Sequence, residues 1–67
     1  MKPVSGRRFC KVLERRGWVF EHIRGAHHKY RSPDGRSVSV PVHGDKDLRT
    51  GTQRALMRQT GLTDADL

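Results

Sequence analysis

The sequence predicts a small α+β domain in the order helix, strand, strand, strand, helix, with a three-stranded antiparallel sheet carrying both helices on one face. Three observations carry that prediction. An apolar stripe of helical period opens the chain, three β-rich runs separated by turn residues follow, and a second helical window lies near the end. Sixty-seven residues supply one core and not two, so residues 1–67 read as a single domain.

Ser5 is the expected N-cap of a first helix running to about Arg16, with Gly17 as its C-terminal stop. Phe9, Val12 and Leu13 share one face at i, i+3 and i+4 spacing, and Arg7, Arg8, Lys11 and Arg15 gather on the opposite side. Cys10 sits at the edge of the apolar stripe and reads as a buried, inert thiol. Trp18–Ile23 is aromatic and β-branched, hence a strand, although its poor alternation leaves its buried face open. Arg24-Gly25 supplies a turn, and His27–Ser32 forms a second strand that ends in the turn sequence Ser32-Pro33-Asp34-Gly35. Ser37–Val42 alternates cleanly, with Val38, Val40 and Val42 facing inward; Pro41 marks an edge or an end of that strand. Thr50 and Gln53 have the spacing of a capping box for a second helix, which places Ala55 and Leu56 on one side and Arg54 and Arg58 on the other. Gly61-Leu62 suits a Schellman ending, and Thr63–Leu67 either adds one more turn or frays. Short connections favour a meander with the helices on one face, the arrangement of the double-stranded-RNA-binding domain.

Composition points to the class of partner. Lys and Arg total 14 against 7 acids, a net charge of +7. Residues 1–36 hold ten of those cations and three acids, whereas residues 37–67 hold four of each, so the whole surplus lies in the first half. A concentrated basic region is the footprint of a nucleic-acid binder. No apolar run has the length of a signal peptide or a membrane span, and one cysteine forms no internal disulfide, so a cytoplasmic location without membrane association is expected.

The stretch Arg24-Gly25-Ala26-His27-His28-Lys29-Tyr30 is the chemical centre of the sequence. Strand side chains alternate, so if Tyr30 faces the helices His28 does too, as a half-buried packing residue whose nitrogen finds a partner. His27 then shares the open face with Lys29 and Arg31. Internal RNA cleavage can use the ribose 2′-OH as its own nucleophile, which leaves proton transfer and a positive field to the protein. His27 is the candidate for the proton, with Lys29, Arg31 and Arg24 around the phosphate. Arg7, Arg8 and Lys11 extend the candidate RNA-binding set. His22 and His43 read as ordinary structural residues, His43 standing where it can approach the site. Lys46 and Arg49, beside the free N–H groups at the start of the second helix, form a candidate phosphate support together with His28 and His43. A metal centre is not expected, because adjacent strand residues diverge and no ligand pair has a zinc-like spacing. No cofactor is expected.

In combination these segments resemble the HicA (YcfA-like) family of toxins. "SGRRFCKVLERRGW", "RGAHHKYRSPDGRSVSVPVHGDKDL" and "GTQRALMRQTGL" carry the resemblance over nearly the whole chain. It implies a double-stranded-RNA-binding-like fold, metal-independent cleavage of messenger RNA, and a catalytic histidine two positions after the motif's glycine, which is His27. It also implies a HicB-type antitoxin covering the active face, the chain being monomeric when free and hetero-oligomeric with that partner. Two positions depart from the family pattern: Ala26 replaces the usual serine, and Gln53 replaces the usual leucine. The alternative reading is a non-catalytic RNA-binding module of the same fold, with Ala26 as its strongest support.

Overall fold

In the computed structural model, which describes residues 1–67, the elements follow the expected order. They are α1 (Gly6–Arg15), β1 (Val19–Arg24), β2 (His27–Arg31), β3 (Ser37–Pro41), α2 (Thr50–Thr60) and a 3₁₀ turn at Asp64–Asp66. The sheet is antiparallel in the order β1-β2-β3, so the fold is α+β and resembles the double-stranded-RNA-binding domain.

Local chemistry accounts for most of the boundaries. The Ser5 hydroxyl caps α1 by accepting from the Arg8 N–H at 3.0 Å, and Gly17 turns the chain at φ 90°. Gly6 serves a different purpose. A Cβ there would lie 2.0 Å from the carbonyl oxygen of Pro41, so the start of α1 meets the end of β3 only because this residue has no side chain. Between β2 and β3 the Ser32 N–H donates to the Arg36 carbonyl at 2.8 Å, and Asp34 binds both the Ser32 hydroxyl and the Arg36 guanidinium.

Phe9, Leu13 and Val40 are fully enclosed, and Trp18, Tyr30, Val38, Leu48, Leu56 and Leu62 complete the core around them. Burying side chains of this size contributes about 1.5–3 kcal/mol each relative to exposure. Cys10 belongs to this cluster, and burial pushes its thiol pKa up, as expected for an inert packing residue. The Tyr30 hydroxyl donates to Glu14 at 2.6 Å, fixing β2 under α1; burial and that bond raise its pKa.

Two expectations need correction. Thr50 and Gln53 do not form a capping box. Arg49 is the N-cap without a side-chain bond, and Gln53 points into the core. There its amide donates to the Lys2 carbonyl at 2.6 Å and its oxygen accepts from the Val4 N–H at 3.2 Å. A buried amide able to satisfy two backbone groups of the N-terminal segment is worth more there than at a solvated helix end. Second, the buried stripe of α2 is Gln53, Leu56 and Thr60, with Ala55 at its margin. Thr60 enters the interior by returning its hydroxyl to the Leu56 carbonyl at 2.7 Å. Of the two alternatives for the last residues, the further turn forms: Thr63 and Asp66 make its capping box, Asp66 pairs with Arg16, and Leu67 is buried.

The poor alternation of β1 has a specific origin. Phe20 pairs with Tyr30 and His22 with Lys29, so Glu21 is an extra residue without a partner, a β-bulge. The bulge restores Ile23 to the face of Phe20, three residues away, and turns His22 to the other face. No helix is long and apolar enough to cross a membrane.

Candidate functional site

The helices cover the face bearing Tyr30, Val38 and Val40, which leaves the other face of the sheet open. At its hairpin end four side chains form a quadrilateral. Arg24 on β1 lies opposite His27 on β2, and His22 lies opposite Lys29. Residues paired across a sheet point to the same side, so all four emerge together. They line one cavity of about 240 Å³ with Ser39, the β3 partner of Lys29.

The turn that builds this end is Gly25-Ala26, with Gly25 at φ 60° and no positive φ at Ala26. That is the pattern of a II′ turn, whose twist matches the strands it joins. The Ala26 carbonyl accepts the Val42 N–H at 2.8 Å, tying the turn to the end of β3. His27 is therefore exposed at a position set by backbone bonds on both sides. Neither Arg24 nor Lys29 forms an ion pair with a carboxylate, so both point their donors into the cavity, with the Glu21 carboxylate near enough to Lys29 and His22 to interact with their charges.

The other expected residues are distributed differently. Arg31 shares the open face but stands at the far end of β2, where Glu21 holds its Nε at 2.6 Å and the Gly35 carbonyl accepts from its NH1 at 3.2 Å. That bond holds the Glu21 carboxyl below its ordinary pKa and raises that of Arg31. Arg7, Arg8 and Lys11 are exposed on α1, in the helix layer, and Arg7 pairs with Asp45 at 3.4 Å. They do not join the cluster around His27. His28 is half-buried on the helix side as the parity argument requires, and packs edge-on against Phe20 with ring centroids 6.2 Å apart. An aromatic contact thus replaces the expected hydrogen bond. His43, Lys46 and Arg49 come together around a separate cavity of about 520 Å³, which Pro41, Asp47, Leu48 and Thr52 also line. Pro41 is the β3 partner of His27, so the two hollows adjoin at one end of the sheet.

His22 and Ser39 are the site residues that sequence reasoning missed. The only trace of the bulge in the sequence is the odd spacing of Phe20 and Ile23, two apolar residues that want one face. No three His, Cys, Asp or Glu side chains converge anywhere in the chain.

Comparison with known proteins shows the family. The family model described as the HicA toxin of bacterial toxin–antitoxin systems matches residues 6–62. A protein of Pseudomonas fluorescens (strain Pf0-1) named a probable mRNA interferase HicA is 34% identical over 56 residues, spanning 84% of this chain and 92% of the relative. The chain belongs to the HicA toxin family. The match runs from the start of α1 to Leu62 and so contains both hollows and the whole sheet. It also contains Ala26, in the turn beside His27, and Gln53, in the core.

Proposed function

We propose that this HicA-family protein is an RNA-cleaving toxin of a toxin–antitoxin pair, with His27 as the group that moves a proton at the scissile ribose–phosphate. One observation carries the reading: His27 is exposed on the open sheet face beside two unpaired cations, Arg24 and Lys29. The name of the Pseudomonas relative, an mRNA interferase, supports messenger RNA as the substrate.

The chemistry follows from what the site offers. Histidine exchanges a proton near neutral pH, and an RNA strand brings its own nucleophile in the 2′-OH. Attack of that oxygen on the adjacent phosphorus adds negative charge to the phosphoryl oxygens. Arg24 and Lys29 flank the position of that charge, and preorganised positive groups stabilise it more than they stabilise the ground state. No metal is required for this route. The products are a 2′,3′-cyclic phosphate and a 5′-hydroxyl. A HicB-type antitoxin with an acidic surface is the partner expected to cover this face, since opposite potentials speed association and binding to the folded state stabilises a thin core.

The test is cleavage of an in vitro transcribed messenger RNA in EDTA by the wild-type protein and by His27→Ala. New 5′-hydroxyl ends with the wild type, and their loss by a factor of about 10²–10⁴ in the variant, are expected. Equal activity of the two forms, or none from the wild type, refutes the reading. Ala26 favours one rival, a binding module without chemistry, because the turn lacks a hydroxyl beside the imidazole. That rival predicts salt-dependent RNA binding with no new ends and no response to His27→Ala.

A further inference from the structure

The quadrilateral at the hairpin end has an arrangement that a single catalytic histidine does not need. Its directly paired corners are His22 with Lys29 and Arg24 with His27. Its diagonals are therefore His22 with His27 and Arg24 with Lys29. Two imidazoles face one another across the square, and two cations face one another along the other diagonal. Diagonal neighbours in an antiparallel sheet stand roughly 7–8 Å apart. All four residues line one hollow, and no carboxylate is among its lining residues. Glu21, the bulge residue next to His22, gives its hydrogen bonds to Arg31, and its charge also reaches His22 and Lys29 without a bond to either.

We infer that His22 is a second catalytic residue, and that His22 and His27 divide the two proton transfers of RNA cleavage between them. This rests on the ribonuclease reading above. Transesterification at phosphorus places the entering 2′-oxygen and the departing 5′-oxygen on opposite sides of the phosphorus. A phosphate centred on the square, with its non-bridging oxygens toward Arg24 and Lys29, directs those two oxygens toward the two imidazoles. The diagonal separates the strand positions, and hydrogen bonds of about 2.8 Å at each end need the two ring nitrogens farther apart than that, which outward rotation of the two imidazoles about their side-chain torsions supplies. One neutral imidazole takes the 2′-OH proton while the O2′–P bond forms. The other, protonated, gives its proton to O5′ as the P–O5′ bond breaks. The two rings end with exchanged protonation, and solvent water restores them. No oxidant, metal or external nucleophile enters.

The bulge at Glu21 makes this possible. Without that extra residue, simple alternation from Phe20 would put His22 on the helix side. With it, His22 and Arg24 both face Lys29 and His27. Bulges commonly re-aim a side chain beside an active site.

The experiment compares wild type, His22→Gln and His27→Gln on one RNA oligonucleotide containing the cleavage site mapped with the wild-type protein. The oligonucleotide is made in two forms, with oxygen or with sulfur at the bridging 5′ position. A thiolate leaves without protonation, so sulfur restores a variant that has lost the general acid and does not restore one that has lost the base. Each variant is expected to cleave the oxygen form slower by about 10²–10⁴-fold, and sulfur is expected to restore one of them and not the other. Binding to a third oligonucleotide, 2′-deoxy at the cleavage site, is expected to be unchanged in His22→Gln, with circular dichroism matching the wild type. Cleavage of the oxygen form by His22→Gln within about threefold of wild type overturns the inference while leaving the His27 reading intact, as does an identical response of both variants to sulfur. A loss of binding to the deoxy oligonucleotide equal to the loss of rate overturns it as well, since His22 would then be a phosphate contact. An inactive wild type would instead refute the ribonuclease reading itself.

Discussion

The two ends of the open sheet face carry the same kinds of residue and treat them oppositely. At the hairpin end, Arg24 and Lys29 stand beside His27 with no acid paired to them. At the far end, Arg31 is bonded to Glu21, while Arg36, on the helix side of that end, is bonded to Asp34 and to the Gln59 carbonyl and lies over the Trp18 ring at 5.5 Å. The far-end cations are fastened to the fold, whereas the near-end cations are available to an arriving anion. Basic content alone does not locate a site; the distribution of the few acids does.

The largest effect should come from removing the free cations. Arg24→Gln combined with Lys29→Gln is expected to lower kcat/KM on a mapped RNA substrate by about a hundredfold or more, the scale set by losing one preorganised charge-stabilising group. Arg31→Gln should cost less than about fivefold, because its charge is already compensated by Glu21. Equal losses from the two substitutions would break the comparison.

Next in size is the turn. Gly25→Ala places a Cβ at φ 60°, a conformation costing about 1 kcal/mol or more for a residue with a side chain. Thermal unfolding should shift down accordingly, and cleavage should fall more than stability does, because the turn sets His27 and Arg24 against each other. By contrast Gly35→Ala, at the far-end turn with φ 92°, should lower stability without that extra loss of cleavage. The two glycines thus provide a matched test of the two ends.

Much of this was legible from residue types alone. Ser5 as a cap, Ser32-Pro33-Asp34-Gly35 as a turn and the Val38–Val40 alternation each act through their own backbone neighbourhood, so sequence order suffices to read them. The exposure of His27 also followed from strand parity, since β2 is regular and Tyr30 anchors it. What escaped depended on contacts distant in sequence. Gln53 looks like a helix cap until the backbone of Lys2 and Val4 is brought beside it. His22 looks structural until a bulge reverses its face, and Arg31 looks free until Glu21 reaches it from a neighbouring strand. Parity is a sound guide only while the register runs unbroken.

A smaller effect tests the far end directly. Glu21→Gln releases Arg31 and adds one uncompensated cation to the same face. RNA binding should tighten several-fold at low salt, and the plot of log affinity against log salt should steepen by somewhat less than one unit, as one further phosphate contact requires. An unchanged slope would mean that Arg31 stands too far from the RNA path to matter even when freed.

The smallest effect is a pH dependence confined to the far end. The hydrogen bond from Arg31 holds the Glu21 carboxyl below its ordinary range, and the bond from Ser32 does the same for Asp34. A group whose pKa is lower when folded adds stability above its unfolded value, about 4.3 for Glu, and loses it as pH falls through the folded value. The stability difference between wild type and Glu21→Gln should therefore be constant near neutrality and shrink below about pH 4. Over the same range the wild-type protein loses its grip on Arg31, so the salt slopes of wild type and Glu21→Gln should converge. If the slopes stay apart when the carboxyl is protonated, the difference between the two ends lies in shape rather than charge.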